Sequence, residues 1–225
     1  MREQLGRTAL LADLSLEIVE QLAAASQIST YRRGDVLMSC GEPGETLHIV
    51  VAGKVKVIVP ADTGDVAVVA ILGPGDFVGE LSMIDGGPRS ATIEAIDSVR
   101  TIVVARPAFQ KTMRAYPALM ERLLRILAGR LRQTTLLATD LAFLDLRGQV
   151  AKRLLDLAAQ YGRRTTDGAI EISLPLTQVD LAAMIGGTRE SVNKQLSWFE
   201  QNGAIERRGR QIYVRDEEQL RRRIT

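Results

Sequence analysis

Between Phe77 and Thr92 the sequence FVGELSMIDGGPRSAT places Arg89 and Ser90 directly after a Gly86-Gly87-Pro88 turn, with Gly79 and Glu80 upstream. A guanidinium is a planar fork that grips phosphate through paired charge-assisted bonds, and amides freed by glycine in a tight turn form an anion-binding nest. These residue types therefore suit a phosphate. Glu80 would repel that phosphate unless it served another group, and a carboxylate near a phosphate arginine suits a ribose hydroxyl. Taken alone, the stretch also reads as a hairpin turn with a surface salt bridge.

A second group with chemical potential lies in LTQVDLAAMIGGTRESVNKQLSWFEQN, residues 176–202. Thr177 is placed to cap one helix, with Asp180 three residues on, and Leu181, Ala182 and Ile185 supply its buried face. After Gly186-Gly187, Thr188 caps a second helix with Val192, Leu196 and Phe199 facing inward. Two short helices joined by a glycine turn form a helix-turn-helix. Arg189, Glu190, Asn193 and Lys194 fall on the exposed start of the second helix. Arginine pairs with guanine N7 and O6 and glutamate accepts from cytosine N4, so Arg189 and Glu190 suit G·C pairs in a major groove. Lys194 suits a base or a phosphate. AIERRGRQIYV then gives two short strands, a wing, whose Arg207, Arg208 and Arg210 suit the DNA backbone, as do Thr177 and Gln178.

The elements that must position these groups follow from periodicity. Leu14, Ile18, Leu22 and Ala25 predict an amphipathic lead-in helix over residues 14–27. From Ile28 to Arg106 the runs DVLMS, LHIVVAG, KVKVIV, AVVAIL, FVGEL, ATIEAI and SVRTIVVA read as strands separated by glycine turns, which predicts a small antiparallel barrel or jelly-roll. After a short helix ending near Ala115, Pro117 opens a long one running to about Leu141. Met120, Leu124, Leu127, Leu131, Thr134, Ala138 and Leu141 form a coiled-coil seam, whereas Leu119, Leu123 and Ile126 form a second stripe toward the barrel. Two apolar faces imply two partners: the helix's own domain and the same helix of a second subunit. Burial inside a single domain is the alternative. Thr134 interrupts the seam and Thr135 adjoins it, where polar residues fix register or serve a ligand. LAFLD, residues 141–145, ends in an aspartate suited to cap the next helix, Leu146 to Tyr161, and the turn RRTTDG leads to the strand AIEISL.

Composition bounds the function classes. The chain has 225 residues, a single cysteine (Cys40) and a single histidine (His48), so no internal disulfide, iron–sulfur ligand set or histidine-rich metal site is expected. A metal-dependent barrel enzyme needs several converging imidazoles and carboxylates, and His48 reads as a structural strand residue. No nucleophile–base pair or phosphate-transfer loop points to catalysis. Residues 1–145 carry 15 Lys and Arg against 17 Asp and Glu, and residues 146–225 carry 14 against 10. The basic excess therefore sits with the helix-turn-helix. The opening residues lack a signal-peptide core and no apolar run approaches the roughly 18 residues needed to span a bilayer, so a cytoplasmic protein without membrane contact is expected.

GELSMIDGGPRSAT, the paired threonines, LAFLDLRGQVA and LTQVDLAAMIGGTRESVNKQL with GRQIYV together resemble the cyclic AMP receptor branch of the CRP/FNR transcription regulators, over essentially the whole chain. The resemblance implies an α+β fold: a β-roll with flanking helices over residues 1–116, a long dimerisation helix and hinge over 117–145, and a winged helix-turn-helix over 146–225. It further implies cyclic AMP as allosteric effector, held by Gly79 and Glu80 at the ribose and by Arg89 and Ser90 at the cyclic phosphate, with Leu81 and Ser82 also among the expected ligand-binding residues. Thr134 and Thr135 match the pair near the adenine, one of them from the partner subunit. Arg189, Glu190 and Lys194 match the base-reading set, with lysine at 194 where the best-known member has arginine, and Thr177, Gln178, Thr188, Asn193, Arg208 and Arg210 complete the expected DNA-binding residues. Double-stranded DNA, a second copy of the chain and RNA polymerase are the implied partners, without metal, haem or iron–sulfur cluster. Cyclic GMP shares ribose and phosphate with cyclic AMP and stays open as the effector, as does a ligand-independent regulator.

Overall fold

The computed structural model describes Leu5, Thr8, Leu10, Leu11 and residues 15–224. They form two compact units, residues 1–133 and 134–225. Leu14 of the lead-in helix lies outside the described residues.

In the first unit, helix α1 (Leu16–Ala24) precedes strands β1 (Ser26–Tyr31), β2 (Val36–Met38), β3 (Thr46–Ala52), β4 (Val55–Pro60), β5 (Val66–Leu72) and β6 (Phe77–Val78). Helix α2 (Glu80–Asp85) follows, then β7 (Thr92–Ala95), β8 (Val99–Ala105), α3 (Arg106–Ala115) and the long α4 (Pro117–Phe143). Two antiparallel sheets, ordered β1-β8-β3-β6 and β2-β7-β4-β5, make the roll. β3 is buried on both faces. Val50 faces a cluster with Val55, Val78, Ile93 and Val99, whereas Leu47 and Ile49 join Phe77, Ile102, Phe109, Leu119 and Leu123 under the helices. Leu119 and Leu123, each at most 1% exposed, tie α4 to the roll, and each such burial contributes about 1.5–3 kcal/mol.

Three local expectations need correction. The lead-in helix stops at Ala24 instead of reaching residue 27, because Ser26 and Gln27 already pair with Val104 and Val103 of β8. FVGEL is a strand only at Phe77–Val78: Gly79 takes a left-handed conformation (φ 87°) and turns the chain into α2. Part of the RRTTDG turn is also strand, β9 (Gly162–Arg164).

The second unit holds the end of α4, then α5 (Leu146–Tyr161), β9, β10 (Ile170–Ile172), α6 (Gln178–Ile185), α7 (Arg189–Gln201), β11 (Ile205–Arg208), β12 (Gln211–Val214) and α8 (Glu217–Arg221). Its sheet is ordered β11-β12-β10-β9. α4 runs to Phe143, so the interruption in LAFLD narrows to Leu144 and Asp145. Asp145 caps α5 by accepting from the Gly148 amide at 2.7 Å, and Gln149 ties down the end of α4 through the Leu144 carbonyl at 2.9 Å.

Candidate functional site

Gly79 and Arg89 depend on each other sterically. A Cβ at Gly79 would lie 2.5 Å from Arg89 Nη1 and 2.9 Å from the Thr46 carbonyl, so glycine is required for its bare Cα as well as its positive φ. Arg89 is 5% exposed. It donates from Nη1 to the Gly79 carbonyl (2.9 Å) and from Nη2 to the carbonyl and hydroxyl of Thr46 (2.6 and 3.1 Å). Burial, reinforced by Arg106, pushes the guanidinium pKa down, and Glu45, Glu80 and Glu42 offset only part of this. A buried cation held by neutral acceptors is short of negative charge, which an anionic ligand supplies.

Glu80, in the first turn of α2 and 5% exposed, takes Arg130 Nη1 at 2.8 Å. Arg130 also donates to the Phe77 carbonyl at 2.7 Å and lies 4.6 Å over the Phe77 ring. Leu119, Leu123, Ile126 and Arg130 follow one helical stripe, so spacing places Arg130 toward the roll. Reading only apolar residues missed it. Breaking the pair from the α4 side leaves a buried carboxylate unmatched, which typically costs 3–5 kcal/mol. Arg130→Leu is therefore expected to lower stability by about 3 kcal/mol in thermal or urea denaturation at pH 7, and the double change with Glu80→Gln to recover most of it.

The other cassette residues divide by exposure. Ser82 is buried and donates to the Pro88 carbonyl at 3.1 Å, so its hydroxyl is committed to the turn. Leu81 and Ser90 are exposed.

His48 is 5% exposed, and burial, then the charge of Arg89, lowers its pKa to about 4. The unfolded chain protonates near 6.5, so between pH 6.5 and 4 it binds the proton that the folded chain refuses. Stability is full above pH 6.5 and falls as pH drops toward 4, by on the order of 3 kcal/mol. Urea denaturation across that window checks this, and His48→Gln should flatten the slope.

Along α4, Met120, Leu124, Leu131 and Leu141 are 44%, 59%, 68% and 44% exposed, Ala138 is exposed and Leu127 is half-buried. Leu136 and Phe143, outside the expected seam, are 64% and 84% exposed. Thr134 and Thr135 are exposed in the second unit, and the Thr135 carbonyl accepts from the Thr139 hydroxyl at 2.9 Å.

In the helix-turn-helix, Thr177 and Asp180 form a full capping box: Thr177 Oγ1 accepts from the Asp180 amide (3.1 Å) and the Thr177 amide donates to the Asp180 carboxylate (2.8 Å). Thr188 likewise accepts from the Ser191 amide at 3.1 Å, so both threonines are committed to helix starts. Gln178 links the helices, its Nε2 3.4 Å from Asn193 Oδ1 and its Oε1 3.4 Å from Arg189 Nε. Thr188, Arg189, Glu190 and Asn193 line one open hollow, and Lys194 is exposed beyond it. On the wing, Arg210 is exposed and Arg208 stacks over Tyr213 at 4.7 Å while bonding Glu206. Arg207, read from sequence as a backbone contact, is instead a brace: it bonds Glu200 (2.6 Å), Asn193 (2.7 Å) and Ser197 (3.1 Å). The only tryptophan, Trp198, lies between Arg147 and Arg223, at 4.2 and 4.7 Å.

Among the described residues no group of three or more His, Cys, Asp or Glu is arranged to hold a metal ion, and no helix is long and apolar enough to cross a membrane. Residues 28–116 match the cyclic nucleotide-binding domain family and residues 148–223 the Crp-like helix-turn-helix domain family. The chain is 37% identical over 223 residues to a CRP-like cAMP-activated global transcriptional regulator of Mycobacterium tuberculosis, covering 99% of both. It is 30% identical over 197 residues to the cAMP-activated global transcriptional regulator CRP of Escherichia coli O157:H7, covering 87% of this chain and 93% of that protein. In fold it resembles the c-di-GMP responsive global regulator CLP of Xanthomonas campestris, with a TM-score of 0.78 at 23% identity over 89% of this chain and 99% of that one.

Proposed function

The chain belongs to the CRP/FNR family of transcription regulators, and we propose that it works as a cytoplasmic homodimer whose binding to a palindromic operator is switched by cyclic AMP. It is a regulator with a cyclic nucleotide-binding domain and a DNA-binding domain, not an enzyme. The observation that carries the proposal is the buried Arg89, a cation braced by Gly79 and Thr46 and, among the described residues, in no ion pair. The cyclic phosphate supplies that missing charge, and Glu80, oriented by Arg130, accepts from the ribose. Leu81, Ser82 and Ser90 flank the ligand, and Thr134 and Thr135, one from each subunit, read the base.

Residues 1–116 form the sensor, 117–145 the dimerisation helix and hinge, and 146–225 the DNA module. Seam contacts through Met120, Leu124, Leu127, Leu131, Ala138 and Leu141 join the subunits. Arg189, Glu190 and Lys194 then read bases in successive major grooves about 34 Å apart, on a site like TGTGA-N6-TCACA. Thr177, Gln178, Thr188, Asn193, Arg208 and Arg210 surround the DNA backbone, and the bound dimer presents RNA polymerase with a fixed surface.

A ligand moves the equilibrium only by binding the two conformers differently, typically by about 5–150-fold. Fluorescence anisotropy with the labelled palindrome should show tighter binding of that order with saturating cyclic AMP. Equal affinity with and without nucleotide would remove the switch, and a response to cyclic GMP alone would change the effector.

A further inference from the structure

We propose that His48 is a positioning residue for the phosphate-binding arginine, acting through the Thr46 hydroxyl in a hydrogen-bonded chain Thr101–His48–Thr46–Arg89. The inference rests on the reading of the roll as a cyclic-nucleotide site and assigns a role to the one imidazole of the chain.

Alternation along β3 puts Thr46 and His48 on one face of the strand. His48 Nε2 is 3.2 Å from Thr46 Oγ1, and His48 Nδ1 is 3.5 Å from Oγ1 of the fully buried Thr101. Thr46 Oγ1 is also 3.1 Å from Arg89 Nη2. The donor inventory fixes the polarity of this chain. Arginine only donates, so Thr46 Oγ1 accepts from Arg89 and its single proton must point elsewhere. His48 Nε2 is the acceptor within the chain that can take this proton; we assign it as unprotonated, with the ring proton on Nδ1, directed at Thr101.

A neutral imidazole of that tautomer keeps a Thr46 lone pair on the guanidinium. The opposite tautomer, or an imidazolium, would donate into the second Thr46 lone pair and leave the hydroxyl proton without the His48 acceptor. Burial of His48 keeps the ring neutral across the physiological range. The backbone carbonyls of Gly79 and Thr46 hold Arg89 in any case, so His48 refines the aim of Nη2 and does not create the site.

The test is isothermal titration of the full chain with cyclic AMP and cyclic GMP, together with thermal melts, for wild type, Thr46→Val, Thr46→Ser, His48→Phe, His48→Gln and the double variant Thr46→Val/His48→Phe. Thr46→Val and His48→Phe should each weaken binding by about fivefold to tenfold, equally for both nucleotides because the phosphate is common to them. The double variant should bind no more weakly than the worse single one, since both changes break the same chain. Thr46→Ser and His48→Gln, which keep a hydroxyl and an acceptor, should return to within about threefold of wild type. Losses in the double variant that multiply, or wild-type affinity in both Thr46→Val and His48→Phe, overturn the proposal. Thr46→Val changes almost no volume and keeps the test decisive if His48→Phe fails to fold. Arg89→Ala separates the two levels of inference. Binding lost there but unaffected by His48 and Thr46 changes removes only the positioning role, whereas a wild type that takes neither nucleotide removes the site and this inference with it.

Discussion

Arg89→Ala is expected to weaken cyclic AMP binding by at least a hundredfold while shifting the melt of the ligand-free protein little. The loss on the ligand side is large because a buried charge-assisted contact disappears and the phosphate is left in a partly desolvated site with no counter-charge, which typically costs 2–5 kcal/mol. The stability side is a near balance. Truncation leaves the carbonyls of Gly79 and Thr46 without a donor, at about 1–3 kcal/mol for a buried unsatisfied group. It also removes a guanidinium whose burial and proximity to Arg106 disfavour its charge. The readout is therefore the ligand-induced shift. Cyclic AMP at a hundred times its Kd should stabilise the wild type by about 2.7 kcal/mol and the variant not at all. Arg89→Lys should recover little, because a point charge does not reproduce the bidentate fork across Gly79 and Thr46. A variant that keeps the full ligand-induced shift would place the phosphate elsewhere.

What could be read in advance depended on whether a residue's role was set by its neighbours in sequence. The roll, the long helix and the helix-turn-helix were legible because glycine turns, a seven-residue seam and helix caps are local signals, and Asp145, Thr177 and Thr188 cap their helices as their spacing implies. The FVGEL run misled because the strand types stop at Val78 and only the backbone shows the turn: Gly79 is left-handed and packed against Arg89, and Glu80 and Leu81 begin a helix. β1 went unread because it draws its stability from pairing with β8, and SQISTY shows little alternation of its own.

The site residues divide in the same way. Gly79, Glu80 and Arg89 lie together with Thr46 and Arg130, but nothing near Thr46 marks it as an arginine acceptor, since its partner is 43 residues away. Arg207 looked like a DNA contact by charge and wing position alone. Its commitment to Glu200 and Asn193 comes from the packing of β11 against α7, which composition does not show.

Leu124→Lys/Leu131→Lys is expected to yield a monomer that has lost at least a thousandfold in affinity for the palindrome. The two leucines are 59% and 68% exposed on α4, whereas Leu119 and Leu123 on the same helix are at most 1% exposed. One face is thus spent on the roll, and in the proposed dimer the other face meets the same helix of the partner. Burying a leucine contributes about 1.5–3 kcal/mol, and a two-fold seam counts each residue twice, so two lysines replace four such burials by like charges across the seam. Leu127 is unsuitable for this purpose because it also packs against the core of the roll and would confound assembly with folding.

The consequence for DNA follows from linkage between half-sites. In a dimer the second recognition helix binds at an effective concentration near millimolar, and a monomer forfeits that advantage. Sedimentation velocity should report a single 24.6 kDa species, and the salt dependence of residual DNA binding should fall to about half the wild-type slope as one of two sets of phosphate contacts is lost. Retention of the dimer with both lysines in place would put the subunit interface away from this face of α4 and would detach Thr134 and Thr135 from any role across it.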